Sequence, residues 1–126
     1  MQTKKIVRRP RPYKPFRCVE CGGRPSLFSE DGRPIWRCAC GAFSGAQPNL
    51  ECKGRVALPS THGLRAQAFN LFTGLVEQAQ MKTDDAAHKI RARGYIIGSG
   101  IIQKHLAFGH LTAADAQKLI AAWSVP

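Results

Sequence analysis

Two kinds of apolar spacing divide the chain. Between residues 26 and 44 apolar residues come in short runs broken by turn formers; from residue 61 onward they recur every three or four positions. Ser26-Leu27-Phe28 and Pro34-Ile35-Trp36-Arg37 predict two short strands, and Asp31-Gly32 between them is a hairpin turn signal. A third strand is expected at Ala42-Phe43-Ser44.

The helical spacing predicts a first helix capped by Ser60 or Thr61 and running to about Lys82. Leu64, Ala68, Leu71, Leu75 and Ala79 fall on one face with Phe72 beside them, and Phe69 and Val76 widen the stripe. Gly74 costs this helix something and would permit a close crossing. A second helix is expected from Thr83, with Asp84 and Asp85 in its first turn, Lys89, Arg91 and Arg93 in its last, and Gly94 as its stop. Compensation of the helix dipole explains that charge order more economically than a phosphate contact from Arg91 or Arg93. Gly98-Ser99-Gly100 lacks the Lys-Ser/Thr of a phosphate loop and reads as a turn between Tyr95-Ile96-Ile97 and Ile101-Ile102. Ile101 to Leu106 reads as a short helix. The last helix is expected from Ala113 to Trp123. Thr112 caps it, Asp115 sits three residues on, Leu111 is a staple, and Ala116, Leu119, Ile120 and Trp123 form the buried stripe.

Between these regions, residues 47–60 read as a linker with Pro48, Gly54 and Pro59. The expected fold class is therefore α+β. A small N-terminal ribbon over 18–46 packs with a C-terminal layer of three to four helices over 61–126, and residues 1–17 form an arm. There is no internal repeat. No apolar run is long enough to cross a membrane, and no sustained apolar stretch follows Lys4-Lys5, so secretion is not expected.

Charge changes the picture. The formal net charge is +11, a surplus that favours polyanions through counterion release, or an acidic protein surface. Its densest stretch is the arm, where Lys4, Lys5, Arg8, Arg9, Arg11, Lys14 and Arg17 are broken by Pro10, Pro12 and Pro15 with no acid among them. Proline at this density favours an extended path. Tyr13 and Phe16 are interleaved and available to stack on bases; a solvated tail accounts for the same composition. Arg24, Arg33 and Arg37 carry the charge into the ribbon beside Trp36, which is a stacking platform if exposed and hairpin core if buried.

The cysteines supply the chemistry. Cys18-Val19-Glu20-Cys21 and Cys38-Ala39-Cys40 are two close pairs separated by the hairpin, each followed by a glycine, Gly22 and Gly41. Four thiolates at such spacing form a closed tetrahedral structural site, and the expected cofactor is one structural Zn²⁺ held by Cys18, Cys21, Cys38 and Cys40. Glycine after each pair accommodates positive φ. The competing disulfide reading meets an odd cysteine count. Cys52 is left over, either as a free thiol or as a replacement for one of Cys38 and Cys40. So small a ribbon has little core, and a structural zinc contributes on the order of 10 kcal/mol to such folds. The expected compartment is the reducing cytoplasm.

Catalytic chemistry is not expected. His105 and His110 lie close in sequence, which raises a metal-dependent nuclease as an alternative. The acids are few and form no pair with catalytic spacing, and no serine or cysteine nucleophile motif is present.

In this order of elements the chain resembles an uncharacterised phage and prophage family of small zinc-finger-containing proteins. The matching stretches are Cys18 to Gly22, Cys38 to Ser44, Pro59 with Leu64-Arg65 to Phe72, Tyr95, and His105 to Ile120. The chain departs in the single residue between Cys38 and Cys40 and in the longer turn Leu106-Ala107-Phe108-Gly109-His110. The resemblance implies a zinc ribbon and a phage or prophage origin, hence host cytoplasm, and implies no activity. The expected function is a non-enzymatic, nucleic-acid-binding zinc-ribbon protein acting on DNA or RNA. The alternative is an accessory protein that sets its basic surface against an acidic groove of a host enzyme, such as RNA polymerase or a defence nuclease.

Overall fold

The computed structural model describes residues 4–5, 16–47 and 54–124. These fall into two compact units that divide at Pro59.

The first unit is an antiparallel sheet in the order β1 (Lys4–Lys5), β2 (Ser26–Glu30), β3 (Arg33–Arg37), β4 (Phe43–Gly45). The β2–β3 hairpin closes through Asp31 (φ 52°) and Gly32 (φ 76°). Two successive positive φ values match the right-handed twist of the flanking strands, which is why Asp-Gly occupies this position. That turn sets the register. Leu27 faces Trp36, and Trp36 faces Ser44, so these three share one side of the sheet. Both strands of the hairpin are longer than the apolar runs suggested, because pairing extends to Glu30 and Arg33 beside the turn.

Trp36 is 9% exposed and sits with Cys18, Cys38, Ala42 and Val56 in a small core flanked by Leu27 and Ala46. The stacking role considered for Trp36 is thereby overturned: register with Leu27 turns its ring inward. The opposite side carries Arg37, whose guanidinium lies 5.7 Å from the centre of the Phe43 ring.

The region read as a linker is also corrected at its end. Val56 and Ala57 are fully buried, and Ala57 exchanges backbone hydrogen bonds with Phe43 at 2.9 and 3.1 Å. The short apolar run Val56-Ala57-Leu58 thus covers the free edge of β4.

The second unit holds α1 (Pro59–Lys82), α2 (Ala87–Ile102), a short 3-10 turn (Phe108–His110) and α3 (Ala113–Trp123). Helix α1 begins one residue before the expected caps, because proline suits the first helical position; Thr61 is inside the helix and buried. Its buried stripe is Thr61, Arg65, Ala68, Phe72 and Val76. The stripe is rotated from the one expected, leaving Leu75 and Phe69 exposed. Arg65 enters this stripe because its Nε–H donates to the carbonyl of Leu111 at 2.8 Å.

The largest departure is α2. It starts at Ala87, so Asp84 and Asp85 precede it, and it continues through Gly94 and through Gly98-Ser99-Gly100. What reads as a stop and a turn is helix interior. The helix ends at Gln103, which takes the left-handed conformation (φ 58°) while the Lys104 N–H donates to the Ser99 carbonyl at 3.2 Å. Ser99 also secures the exit: its hydroxyl donates to the Tyr95 carbonyl at 2.7 Å and accepts the Leu106 N–H at 3.0 Å. The separate helix expected over 101–106 is absorbed, its first half into α2 and the rest into this exit.

Helix α3 follows the expected bounds. The Thr112 hydroxyl accepts the Asp115 N–H at 3.1 Å, and Ala116 and Leu119 are fully buried with Leu111 in one cluster. No described helix is long and apolar enough to cross a membrane.

Candidate metal centre

The Sγ atoms of Cys18, Cys21, Cys38 and Cys40 all lie within 4.8 Å of one another. Close approaches join the two turns, Cys18 to Cys40 at 3.6 Å and Cys21 to Cys38 at 3.3 Å. Four sulfurs around a tetrahedral zinc, each about 2.3 Å from it, stand about 3.8 Å apart. The four thiols are therefore already gathered at close to the separation a single ion demands. Each turn supplies one buried cysteine, Cys18 or Cys38, and one exposed cysteine, Cys21 or Cys40.

The single residue between Cys38 and Cys40 is absorbed by a shorter turn of the same design. In the first turn, the Cys18 N–H donates to Gly23 and the Gly22 N–H returns to Cys18, at 2.9 and 3.0 Å. In the second, the Cys38 N–H donates to Ala42 and the Gly41 N–H returns to Cys38, at 2.8 and 3.0 Å. Every span in the second turn is one residue shorter than its counterpart. Gly22 (φ 74°) and Gly41 (φ 97°) hold the left-handed corner of each, as their position after the pairs suggested.

Backbone N–H groups aim at the sulfurs. Glu20 donates to Cys18 Sγ at 3.3 Å and Gly23 to Cys21 Sγ at 3.4 Å. In the second turn the N–H groups of Cys40 and Ala42 serve Cys38 and Cys40 in the same way. Such donors favour thiolate over thiol. The Gly23 N–H, aided by neighbouring thiols, draws Cys21 down to about 7. For Cys40 the Ala42 N–H pulls downward too, but burial and the three adjacent sulfurs outweigh it and push the thiol up to about 12. Cys38 is raised as well, burial and its neighbours overcoming the Cys40 N–H. Four sulfurs this close cannot all carry charge without a cation among them. A soft divalent ion removes that conflict, so the donor set and its surroundings fit a metal such as zinc.

Residues not singled out in the sequence complete the centre. A Cβ on Gly23 would lie 3.2 Å from Cys21 Sγ and 3.4 Å from Cys38 Sγ, so glycine there lets the sulfurs close. The segment 55–58 straps the first turn: Val19 N–H donates to the Val56 carbonyl at 3.3 Å and Leu58 N–H to the Glu20 carboxylate at 2.9 Å. The short apolar run Val56-Ala57-Leu58 ahead of Pro59 was the available signal for a further pairing segment.

The basic residues are dispersed. Arg24 and Arg33 are exposed. Arg17 is exposed and gives one guanidinium N–H to the Gly22 carbonyl at 3.1 Å, while Arg55 Nε–H donates to the Arg17 carbonyl at 2.9 Å. Arg37 is committed elsewhere: Nε and Nη2 both donate to the Glu30 carboxylate, the second at 2.8 Å, and the guanidinium holds Glu30 below its ordinary pKa. Arg37 thus clamps the two strands of the hairpin together. Phe16 is 49% exposed. The backbone of Lys4 and Lys5 lies on the sheet edge opposite Ser29 and Phe28, a strand where an unpaired extended arm was expected. Arg8, Arg9, Arg11, Tyr13, Lys14 and Cys52 lie outside the described residues.

Among the described residues the four cysteines are the only group of three or more His, Cys, Asp or Glu side chains close enough to share an ion. His105 and His110 are not part of it. The chain matches no family model, no curated protein and no solved structure.

Proposed function

We propose that this chain is a non-enzymatic zinc-ribbon protein of the phage or prophage kind its element order resembles, and that it binds nucleic acid through the ribbon and its basic arm. Zinc bound by Cys18, Cys21, Cys38 and Cys40 would be structural, because all four positions of a tetrahedral ion are taken by sulfur. The observation that carries the reading is where the charge falls. Residues 1–59 hold twelve Lys and Arg against four Asp and Glu, so eight of the eleven surplus positive charges belong to the ribbon unit. Two of its arginines, Arg24 and Arg33, stand exposed on the scaffold that the cysteines brace. With Trp36 buried, contact is to phosphates, with stacking left to Phe16 and Tyr13. Binding of this kind is steep in salt and weak in sequence preference.

The test is fluorescence anisotropy of single- and double-stranded DNA and RNA oligomers against the full chain. Each neutralised phosphate contributes roughly a 3.5-fold loss of affinity between about 50 and 200 mM salt. Arg24→Ala with Arg33→Ala is expected to flatten the slope, whereas Arg37→Ala acts through hairpin stability. Salt-independent affinity, or no binding by zinc-loaded protein, overturns the proposal.

A further inference from the structure

The helical unit carries an apolar groove that its own core does not fill. The walls are two helices with the same spacing. Phe72, Leu75, Val76 and Ala79 come from α1; Ile90, Arg93, Gly94 and Ile97 come from α2; Trp123 closes one end. Phe72, Val76 and Ile90 are buried and form the floor. Leu75 and Ile97 form the lips and are 39% and 61% exposed. The groove holds about 290 Å³. Two helices lining one trough with residues at i, i+3, i+4 and i+7 present the surface that a third amphipathic helix recognises.

Charge selects the occupant. Arg93 is the one charged residue lining the trough, and although it meets Asp85 at 2.7 Å its side chain stays 59% exposed. Lys82 and Lys89, both exposed, follow Ala79 and precede Ile90 in the two walls. A second copy would bring the helical unit's own surplus of three positive charges to this surface, which opposes self-association. We propose that the groove docks an amphipathic helix of a partner protein that carries acidic residues beside its apolar stripe. Its aliphatic side chains would descend between Leu75 and Ile97 toward Phe72, and a flanking carboxylate would meet Arg93. This surface belongs to the helical unit and stands independently of nucleic-acid binding by the ribbon.

The experiment uses the full chain and two synthetic helical peptides with identical leucine anchors at i, i+4 and i+7. One is flanked by glutamates, the other by lysines. Tryptophan emission reports binding, because Trp123 lines the groove while the only other tryptophan, Trp36, is buried in the ribbon. The expected result is saturable binding of the glutamate peptide with a shift in emission, and at least tenfold weaker binding of the lysine peptide at low salt. Leu75→Glu with Ile97→Glu is expected to weaken the glutamate peptide at least tenfold with unchanged helical circular dichroism. Should that pair unfold, Leu75→Gln with Ile97→Gln takes its place. Equal affinity for the two peptides, or no shift with either, overturns the proposal. So does a native dimer in sedimentation that the same substitutions dissociate, which would make a second copy the occupant.

Discussion

Gly94 lies so close to Phe72 that a Cβ on the glycine would stand 2.6 Å from Cε2 of the ring. The ring is held among three others. Its centroid is 5.0 Å from that of Tyr95, 5.3 Å from Phe108 and 5.7 Å from Trp123, and the residue is 4% exposed. Gly98 is in the same position against Leu106, with a Cβ again at 2.6 Å, and Trp123 is 3.3 Å away. The two glycines are where α2 is pressed against the rest of its unit.

Glycines within these helices should therefore respond to alanine with opposite signs. Overpacking costs about 1–3 kcal/mol, more than the ~1 kcal/mol of helix propensity that alanine returns, so Gly94→Ala and Gly98→Ala are expected to destabilise. Gly74 and Gly100 have nothing within 4 Å of a Cβ. Alanine at either should stabilise by about 0.4–1 kcal/mol. Urea denaturation of the four variants checks this, and a uniform sign would contradict the packing described.

The metal centre should be separable from the helical unit. One zinc per chain is expected by elemental analysis, and chelation should collapse the ribbon. The helical signal should survive, since the cores around Ala68 and Phe72 share no residue with the one around Trp36. Gly23→Ala, which crowds Cys21 and Cys38, is expected to lower zinc affinity about tenfold, the lower end of what disturbing a ligand's surroundings costs. Competition with a chromophoric chelator measures both effects. Affinity should also fall with acidification, because all four sulfurs must lose protons to bind.

Asp115 links stability to pH. It is 5% exposed, and burial by itself would raise its pKa. The Lys104 ammonium at 2.9 Å and the Thr112 hydroxyl and N–H outweigh that and hold the carboxyl below its ordinary value. A carboxylate whose pKa is depressed on folding contributes stability that is complete above the unfolded value and lost as pH falls through the folded one. Thermal stability of the helical unit should therefore decline below about pH 4. Asp115→Asn should cost about 1 kcal/mol at neutral pH and flatten that decline; an unaltered acid profile would assign it to other groups.

The ribbon was legible because its signals are local. Asp31-Gly32 requires a particular pair of φ angles, and Cys-x-x-Cys is a turn whatever surrounds it. The hairpin, the third strand and the gathering of the four cysteines follow from those short stretches. Helix α3 was legible for the same reason, its cap being three residues from Thr112 to Asp115.

Elements whose meaning depends on what lies against them were not legible. A glycine at residue 94 reads as a helix stop until Phe72 is seen to need its space, and Gly98-Ser99-Gly100 reads as a turn until Leu106 and Trp123 press upon it. Trp36 offers a stacking face or a core depending on which side of the sheet Cys18 and Val56 cover. Arg37 is a phosphate ligand or a clamp depending on whether Glu30 stands within reach across the hairpin. By itself the sequence determined the hairpin turn, the cap of α3, the two close cysteine pairs and the sign of the charge, because each is written in a few residues or in the composition. Only the tertiary structure decided which faces are buried, where α2 ends and which side chains remain free for a partner. Those outcomes depend on contacts between residues distant along the chain, where a gap of one side chain, present or absent, reverses the reading.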